Sequence, residues 1–235
     1  GNVHRASSLE ETARQAVALA GARQPGGDEQ SIEALATRVC ASLAPSQRNL
    51  RGLYSGGTFC SEAQTIWRAA GLRVRSNAPL AEADRLADVE ASQGHTAIDL
   101  GSDEFTVGRP HPMIDYGVRI ERLLKEAGDP TVACVVLDVV LGYGSHPNPA
   151  KVLAPAIRRA KTAARGQGRE LPVICFVCGT DADPQPLETQ KAMLAVAGAE
   201  IFGSSTGAAH AAQAIASRMA ADDNVSARRV MQGGE

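Results

Sequence analysis

The sequence predicts an α/β protein in which an open parallel sheet is covered by helices on both faces. Two runs, ACVVLDVVL and PVICFVC, are almost continuously apolar, as expected of central strands that are buried on both sides. From Arg51 onward, short apolar runs alternate with Ala-rich amphipathic stretches. This alternation is typical of strand–helix units joined by right-handed crossovers.

The beginning of the chain has a different pattern. It opens with Gly1 rather than Met, so we expect that the natural start lies upstream or has been removed. Acidic residues after Ser8 indicate a helix that ends near Ala20, and apolar spacing predicts a second helix from about Asp28 to Leu43. We therefore expect residues 1–48 to be a helical appendage and linker.

The main domain is predicted to span residues 49–220, followed by a frayed polar tail over 221–235. Its predicted strands are Leu50–Tyr54, Leu72–Val74, Ala97–Leu100, Val132–Val139, Val173–Val177 and Glu200–Phe202. Its predicted helices are Thr58–Ala70, Asp115–Glu126, Pro149–Arg165, Leu187–Ala195 and Gly207–Ala220. In sheets of this kind the ligand crevice lies at the carboxyl ends of the strands, so the residues after each strand are the candidates for function.

Composition excludes several classes of function. Lys and Arg (24) nearly balance Asp and Glu (26), and the net charge of −2 leaves no basic field for nucleic acid. Aromatic residues make up only 3%, which disfavours base stacking. No apolar run approaches the roughly 20 residues that cross a bilayer. The five scattered cysteines fit a reducing compartment, so we expect a cytoplasmic protein.

The loop after the first strand, YSGGTFCSEA, is the first candidate site. A strand ends, small residues make a turn, and a helix begins. Backbone N–H groups and the helix dipole at such a helix start favour an anion, which makes Ser55, Gly56, Gly57 and Thr58 candidates for phosphate binding. The alternative is a tight turn that needs glycine only for its backbone angles. No Lys follows the glycines, so this is not a P-loop.

Two further loops carry histidines. One holds Asp103, Glu104, Arg109 and His111, and the two prolines beside His111 restrict its orientation. The other leads from Asp138, which interrupts the most apolar strand, to His146 just before a helix. A carboxylate in that strand is costly unless it is paired or solvated. His111 is either functional or a capping or hydrogen-bonding histidine. For the second loop the alternative to function is a satisfied structural Asp138 with a Gly-rich turn.

The remaining polar patterns are predicted to be structural. Cys175 and Cys178 form a CxxC within a β-rich run, where residues three apart point to opposite faces, so their sulfurs should not converge. Asp181 and Asp183 precede a helix and are interpreted as turn residues rather than as ligands of a divalent ion. We expect no metal site.

Taken together, the loops resemble the FdrA family of predicted acyl-CoA synthetases, which is related to succinyl-CoA ligase. The resemblance covers about residues 50 to 215 and is carried by GLYSGGTFCSEA, AIDLGSDEFTVGRPHPMID, VVLDVVLGYGSHPNPA, PVICFVCGTDADPQ and GAEIFGSSTGAA. More distantly, this span is similar to the flavodoxin-like second domain of the succinyl-CoA ligase alpha subunit. There, the helix matching Ser55 to Ala63 presents its N-terminus to a phosphorylated catalytic histidine. The resemblance implies a flavodoxin-like fold and a phosphate site at Ser55–Thr58.

The sequence departs from this pattern at one loop. In succinyl-CoA ligase the phosphorylated histidine lies in a Gly-His-Ala-Gly loop after the strand matching Val173–Val177, but here residues 179–184 contain no histidine. Either His111 or His146 carries the phosphate, or the phosphohistidine step is absent. The family also has a CoA-binding domain upstream, so residues 1–48 would be its helical end plus a linker. CoA and ATP are then implied for the full-length protein or complex, not for this segment alone.

Three functions remain open. The leading hypothesis is the ligase domain of an acyl-CoA synthetase, with His111 or His146 as nucleophile or general acid/base and Asp138 orienting it. The second is carbamoyl or acyl transfer from a phosphate ester without a phosphohistidine, in line with the family's association with purine and ureide breakdown. The third is a non-catalytic scaffold subunit. Expected partners are an upstream CoA-binding domain or a partner subunit, a small acyl or carbamoyl phosphate, and a second copy in a homodimer.

Overall fold

A computed structural model describes residues 3–22 and 29–232 of the chain. Two helices, α1 (Leu9–Leu19) and α2 (Glu29–Cys40), precede the first strand. The Ser8 hydroxyl caps α1 by accepting the backbone N–H of Glu11. The predicted start of the second helix at Asp28 lies outside the described residues.

The rest of the described chain forms the predicted alternation of strands and helices. The strands are β1 (Asn49–Tyr54), β2 (Val74–Ser76), β3 (His95–Asp99), β4 (Val132–Val140), β5 (Val173–Cys178) and β6 (Ala199–Phe202). The helices are α3 (Gly57–Ala69), α4 (Asp103–Thr106), α5 (Gly117–Ala127), α6 (Pro149–Arg165), α7 (Leu187–Val196) and α8 (Ser205–Gln232). The six strands are confirmed in number and order.

The strands form one parallel sheet in the order β2-β3-β1-β4-β5-β6. β1 is central and pairs with β3 and β4, with Leu53 level with Ile98 on one side and with Leu137 on the other. This register brings Asp99 and Asp138, one residue further along each strand, to the same carboxyl edge as Tyr54. The fold is the expected flavodoxin-like open sheet.

Helices cover both faces of the sheet, as the two doubly apolar strands predict. On one face α5, α6 and α7 pack on a core that includes Leu53, Leu137 and Ile157. On the other face α2, α3 and α8 pack on a core that includes Trp67 and Ile215. The two cores follow from the period-two alternation of strand side chains, which sends successive residues to opposite faces.

The helix α2 belongs to the second of these cores. Leu35, Ala36 and Val39 are at most 5% exposed and belong to this core, where α2 packs against α8. The helix α1, in contrast, buries none of its residues. Within the described residues, no helix is both long and apolar enough to span a membrane.

Several element boundaries differ from the sequence prediction, and three of the differences have a clear local reason. β2 begins at Val74 rather than Leu72, because Gly71 adopts a positive φ of 82° and the Leu72 N–H closes the end of α3. α5 begins at Gly117 rather than Asp115, because Asp115 Oδ1 accepts the Gly117 N–H and forms a turn. α8 continues past the predicted end at Ala220 to Gln232, since no Gly or Pro interrupts residues 208–232.

A buried ionic network closes the amino-terminal edge of the sheet, opposite the predicted crevice. Arg51 on β1 donates from Nε to Glu126 at 2.6 Å and from Nη2 to Asp129 at 2.7 Å. Arg122 donates to the second Glu126 oxygen at 2.6 Å. Arg51, Arg122 and Glu126 are each at most 3% exposed, so the network is part of the interior.

His95 lies beside this network. Replacing it by Asn should make the free energy of unfolding decrease less between about pH 7 and pH 5. His95 Nδ1 accepts the Leu50 N–H at 3.2 Å, and burial, together with the charge of Arg51, lowers the pKa of His95. The unfolded chain therefore takes up the proton more readily than the folded one. The stability due to neutral His95 is present above its unfolded pKa of about 6.5 and is lost as the pH falls below it.

Urea unfolding at stepped pH checks this expectation, with the exposed His210→Asn variant as the control. The midpoint of the His95→Asn variant should change less with pH than that of the parent or the control. Equal slopes for all three proteins would contradict it.

Candidate functional site

The carboxyl ends of β1, β3 and β4 meet at one edge of the sheet. The helix after β1, α3, packs on one face, whereas α5 and α6, which follow β3 and β4, pack on the other. After β1 the chain therefore turns to one face of the sheet, whereas after the neighbouring strands β3 and β4 it turns to the other face. Such divergence opens the ligand crevice of an α/β sheet. The loop after β1 and the two histidine loops all start at this edge.

Asp138 is fully buried and binds Ser55. Its Oδ1 accepts the Ser55 N–H at 2.8 Å, and its Oδ2 accepts the Ser55 hydroxyl. Arg119 Nη2 donates to Oδ1 at 3.0 Å and supplies the buried counter-charge. The carboxylate is thus paired, as its place in an apolar strand requires. Within the described chain its side-chain bonds go to Ser55 and Arg119, and none joins it to His111 or His146.

The N-terminus of α3 lies at the crevice without a cap. Gly56 is the N-cap residue, and no side chain bonds to the helix start. Ser55 is 1% exposed, and both of its donors bind Asp138. Among the described residues, no acceptor is found for the backbone N–H of Gly56, Gly57 or Thr58. Ser55 therefore anchors the turn, while the next three amides are free to bind an anion.

Asp99 ends β3 beside this helix start. Its Oδ1 accepts the Gly101 N–H at 2.9 Å. Its Oδ2 lies 3.1 Å from the position that a Cβ on Gly57 would take, and no hydrogen bond to Oδ2 is found in the described chain. Burial raises the pKa of Asp99, while the Gly101 N–H and His111 partly offset that effect. A half-buried carboxylate oxygen therefore lies at the first turn of α3.

The side chains of His111 and Asp99 both approach Gly101, whose missing Cβ leaves room for them. A Cβ on Gly101 would lie 2.8 Å from His111 Nε2 and 3.2 Å from Asp99 Oδ1, and it would collide with the Ser55 carbonyl oxygen. His111 Nδ1 accepts the Met113 N–H at 3.2 Å. A neutral imidazole with its Nδ1 lone pair used in this way carries its proton on Nε2. His111 therefore offers an N–H donor beside Gly101, on the loop that follows β3.

His146 has the same tautomer and is tied to the other histidine loop. Its Nδ1 accepts the Asn148 N–H at 3.0 Å, so Nε2 carries the proton. Its backbone N–H donates to Met113 O at 2.8 Å, and Gln185 Nε2 donates to its carbonyl at 3.0 Å. The ring packs edge-on against Tyr116, with centroids 5.8 Å apart. The structure thus joins the loops after β3 and β4.

The three charged residues predicted to support the His111 loop have different environments. Glu104 Oε2 accepts from Asn77 Nδ2 at 2.9 Å and from Ser102 Oγ at 3.1 Å, so it stabilises the loop. Asp103 and Arg109 are exposed. No hydrogen bond or ion pair of the Arg109 side chain is found among the described residues, which leaves a cation on this loop that could attract an anion.

The start of α8, which has a similar small-residue sequence, is occupied by side chains of the protein itself. Glu62 accepts from the hydroxyls of Ser205 and Thr206, the latter at 2.8 Å. Glu10 of α1 accepts from the Ser204 hydroxyl at 2.7 Å. Carboxylates thus already lie where an anion would bind, and this distinguishes the start of α8 from the open start of α3.

The remaining polar patterns have the geometry of structural elements. Cys175 is 0% exposed, whereas Cys178, the last residue of β5, is exposed, so the two cysteines have different surroundings. Asp183 accepts the Thr180 N–H at 2.6 Å within its own turn. No cluster of three or more His, Cys, Asp or Glu side chains suited to a metal ion is found in the part of the chain that the structure describes.

Sequence reasoning missed Asp99, Asn77 and Arg119 as site residues. Asp99 had a usable signal, since it is the polar residue that ends the apolar run TAID before a glycine turn. Asn77 holds the end of β3 by accepting the Asp99 N–H and donating to its carbonyl, both at 2.9 Å. Arg119 had no signal, because a single arginine in an amphipathic helix is usually exposed.

A comparison with family models gives a match that contains the residues of this site. A family model described as CoA-ligase matches residues 53–215, from β1 into α8. The chain is 43% identical over 202 residues to a protein of Escherichia coli (strain K12) described as "Uncharacterized protein YahF". That match covers 86% of this chain and 39% of the relative, so the chain spans well under half of the relative's length.

Proposed function

Because this chain belongs to the CoA-ligase family, we propose that it is the phosphate-binding domain of an acyl-CoA synthetase of the succinyl-CoA ligase type. The observation that carries the proposal is the uncapped start of α3 at the end of β1, within the region that the family model matches. The narrower assignment to the FdrA family is part of the proposal and rests on the five sequence motifs that carry the resemblance.

In this proposal the amides of Gly56, Gly57 and Thr58 bind the oxygens of a phosphoryl group. Backbone donors held in place before the reaction stabilise developing negative charge without reorganisation. Ser55 contributes indirectly, since its bonds to Asp138 hold the turn from which the amides project. His111 adds an N–H donor from Nε2, and Arg109 adds positive charge to the adjacent loop.

CoA and ATP belong to the proposal for the whole protein or complex. The free amides fit a phosphoryl group, but the sequence contains neither a P-loop nor a GxGxxG turn for a nucleotide. The chain also spans only 39% of its relative. We therefore assign CoA and nucleotide binding to an upstream CoA-binding domain or a partner subunit, in a cytoplasmic complex that could include a homodimer of this chain.

A second candidate is carbamoyl or acyl transfer from a phosphate ester without a phosphohistidine. The tautomers of the two histidines favour it. A histidine that carries phosphate on Nε2 must attack through an unprotonated Nε2, yet His111 and His146 both use Nδ1 to accept a backbone N–H. Each neutral ring therefore presents a protonated Nε2, which suits hydrogen-bond donation better than nucleophilic attack.

Both candidate functions require the phosphate site at the start of α3. Titration with inorganic phosphate, followed by NMR of the backbone amides, tests this site. We expect saturable shifts at Gly56, Gly57 and Thr58. The start of α8 is an internal control because Glu62 and Glu10 occupy it, so Ser205 and Thr206 should respond little.

A matched pair of variants measures how much the Gly57 N–H contributes to phosphate binding. Gly57→Pro removes one N–H at a helix position where proline is tolerated, whereas Gly57→Ala adds the same Cβ and keeps the N–H. Loss of one charge-assisted hydrogen bond should weaken phosphate binding about tenfold in the proline variant relative to the alanine variant. Equal affinities, or shifts no larger than those at α8, would overturn the phosphate site and favour a scaffold.

A further inference from the structure

The crevice needs a nucleophile if a phosphoryl group is to be transferred to this chain. The histidines are poor candidates, because the backbone N–H groups of Met113 and Asn148 hold both rings with the proton on Nε2. Ser55 is a poor candidate as well, since it is 1% exposed and donates its hydroxyl proton to Asp138. Asp138 is itself fully buried and bound to Ser55 and Arg119.

Asp99 does not share these restrictions. Its Oδ1 is held by the Gly101 N–H at 2.9 Å, which fixes the orientation of the carboxylate. Its Oδ2 has no hydrogen-bond partner in the described chain and lies beside Gly57, within the first turn of α3. A phosphoryl group on Oδ2 would therefore meet the free amides of α3, and the loop that carries His111 and Arg109 follows the same strand.

Building on the proposed function, we propose that Asp99 is the phosphoryl acceptor of this domain and that its donor is an acyl phosphate or carbamoyl phosphate. An electron pair of Oδ2 forms a bond to phosphorus as the bond from phosphorus to the bridging oxygen breaks. The acyl group leaves as its carboxylate, or the carbamoyl group as carbamate. The product on the protein is an aspartyl phosphate, a mixed anhydride with the same kind of bond as the donor.

The surroundings of Asp99 suit this reaction. The negative charge that the phosphoryl group brings to Asp99 is offset by the free amides at the start of α3. The half-buried position makes the carboxylate more basic than one in water, because burial raises the pKa of Asp99. Since donor and product are both acyl phosphates, the transfer requires neither an oxidant nor a second cofactor.

The test uses the chain as it stands, incubated with acetyl phosphate or carbamoyl phosphate and then measured by intact-protein mass spectrometry. We expect one phosphoryl adduct that survives acid and is removed by hydroxylamine, as an aspartyl phosphate should be. Reduction of the adduct with borohydride should yield homoserine at position 99. Asp99→Asn should abolish the adduct, whereas the exposed Asp103→Asn in the next loop should retain it.

Every other outcome overturns the inference. An acid-labile adduct on His111 or His146 would establish a phosphohistidine, and an adduct stable to hydroxylamine would point to a hydroxyl group. Failure to label a folded chain in which phosphate still shifts the α3 amides would remove Asp99 as acceptor and leave the proposed function in place. If labelling and phosphate binding both fail, the results contradict the proposed function as well as the role of Asp99. Mapping on the parent protein keeps the test valid even if Asp99→Asn does not fold.

Discussion

Replacing Asp138 by Ala should lower the free energy of unfolding by about 3 to 5 kcal/mol, because it leaves a buried arginine without its counter-charge. Arg119 is 0% exposed, and its Nε and Nη1 have no hydrogen-bond partner in the described chain. Asp138 balances the charge of Arg119, and the guanidinium carbon of Arg119 lies 4.9 Å from the centroid of the Tyr116 ring. The same change also frees both donors of Ser55, so the turn before α3 should loosen.

Urea unfolding followed by circular dichroism measures this effect. Asp103→Ala is the matched control, since Asp103 is exposed and its removal should change stability by no more than about 0.5 kcal/mol. A double variant, Asp138→Leu with Arg119→Met, should recover much of the loss, because it replaces both buried charges with apolar groups. A loss below about 1 kcal/mol in Asp138→Ala would mean that the pair does not hold the site together.

Glu126 lies at the opposite edge of the sheet. Replacing it by Ala should lower the free energy of unfolding by a comparable amount, about 3 to 5 kcal/mol. Glu126 accepts from Arg51 and Arg122 at 2.6 Å each, and also from Ser92. Arg51 would keep Asp129 as a partner, but Arg122 would lose its ion pair while only 3% exposed. The cost comes from an uncompensated buried cation rather than from the loss of contact area.

The control for this change is Glu90→Ala, which breaks the exposed ion pair with Lys125 at 3.1 Å and should cost about 1 kcal/mol or less. Equal losses in the Glu126 and Glu90 variants would contradict the network. Because Glu126 lies at the amino-terminal edge, the folded fraction of its variant should still show the phosphate response of α3. The Asp138 variant should show both a stability loss and a weakened response, and this difference separates the two edges of the sheet.

Much of the fold could be predicted because its signals are local. The runs ACVVLDVVL and PVICFVC marked β4 and β5, and the small residues after Tyr54 marked the turn into α3. The boundary errors at β2, α5 and α8 arose where turn hydrogen bonds, or the lack of a helix breaker, outweighed residue propensity. The candidate loops were also found correctly at one edge, since the carboxyl ends of parallel strands must lie together.

The sequence by itself determined the fold class, the chain order of the strands and the loops at the crevice, because periodicity and turn residues act over a few neighbours. Only the tertiary structure decided which groups come together: Asp138 with Ser55, and the Asp99 carboxylate with the first turn of α3. Those pairings depend on the register of strands distant in sequence, where a shift of one residue moves every side chain to the other face. The tertiary structure likewise decided which amides are free. Asp138 accepts the N–H and the hydroxyl of Ser55, and the next amides, at the start of α3, have no acceptor in the described chain.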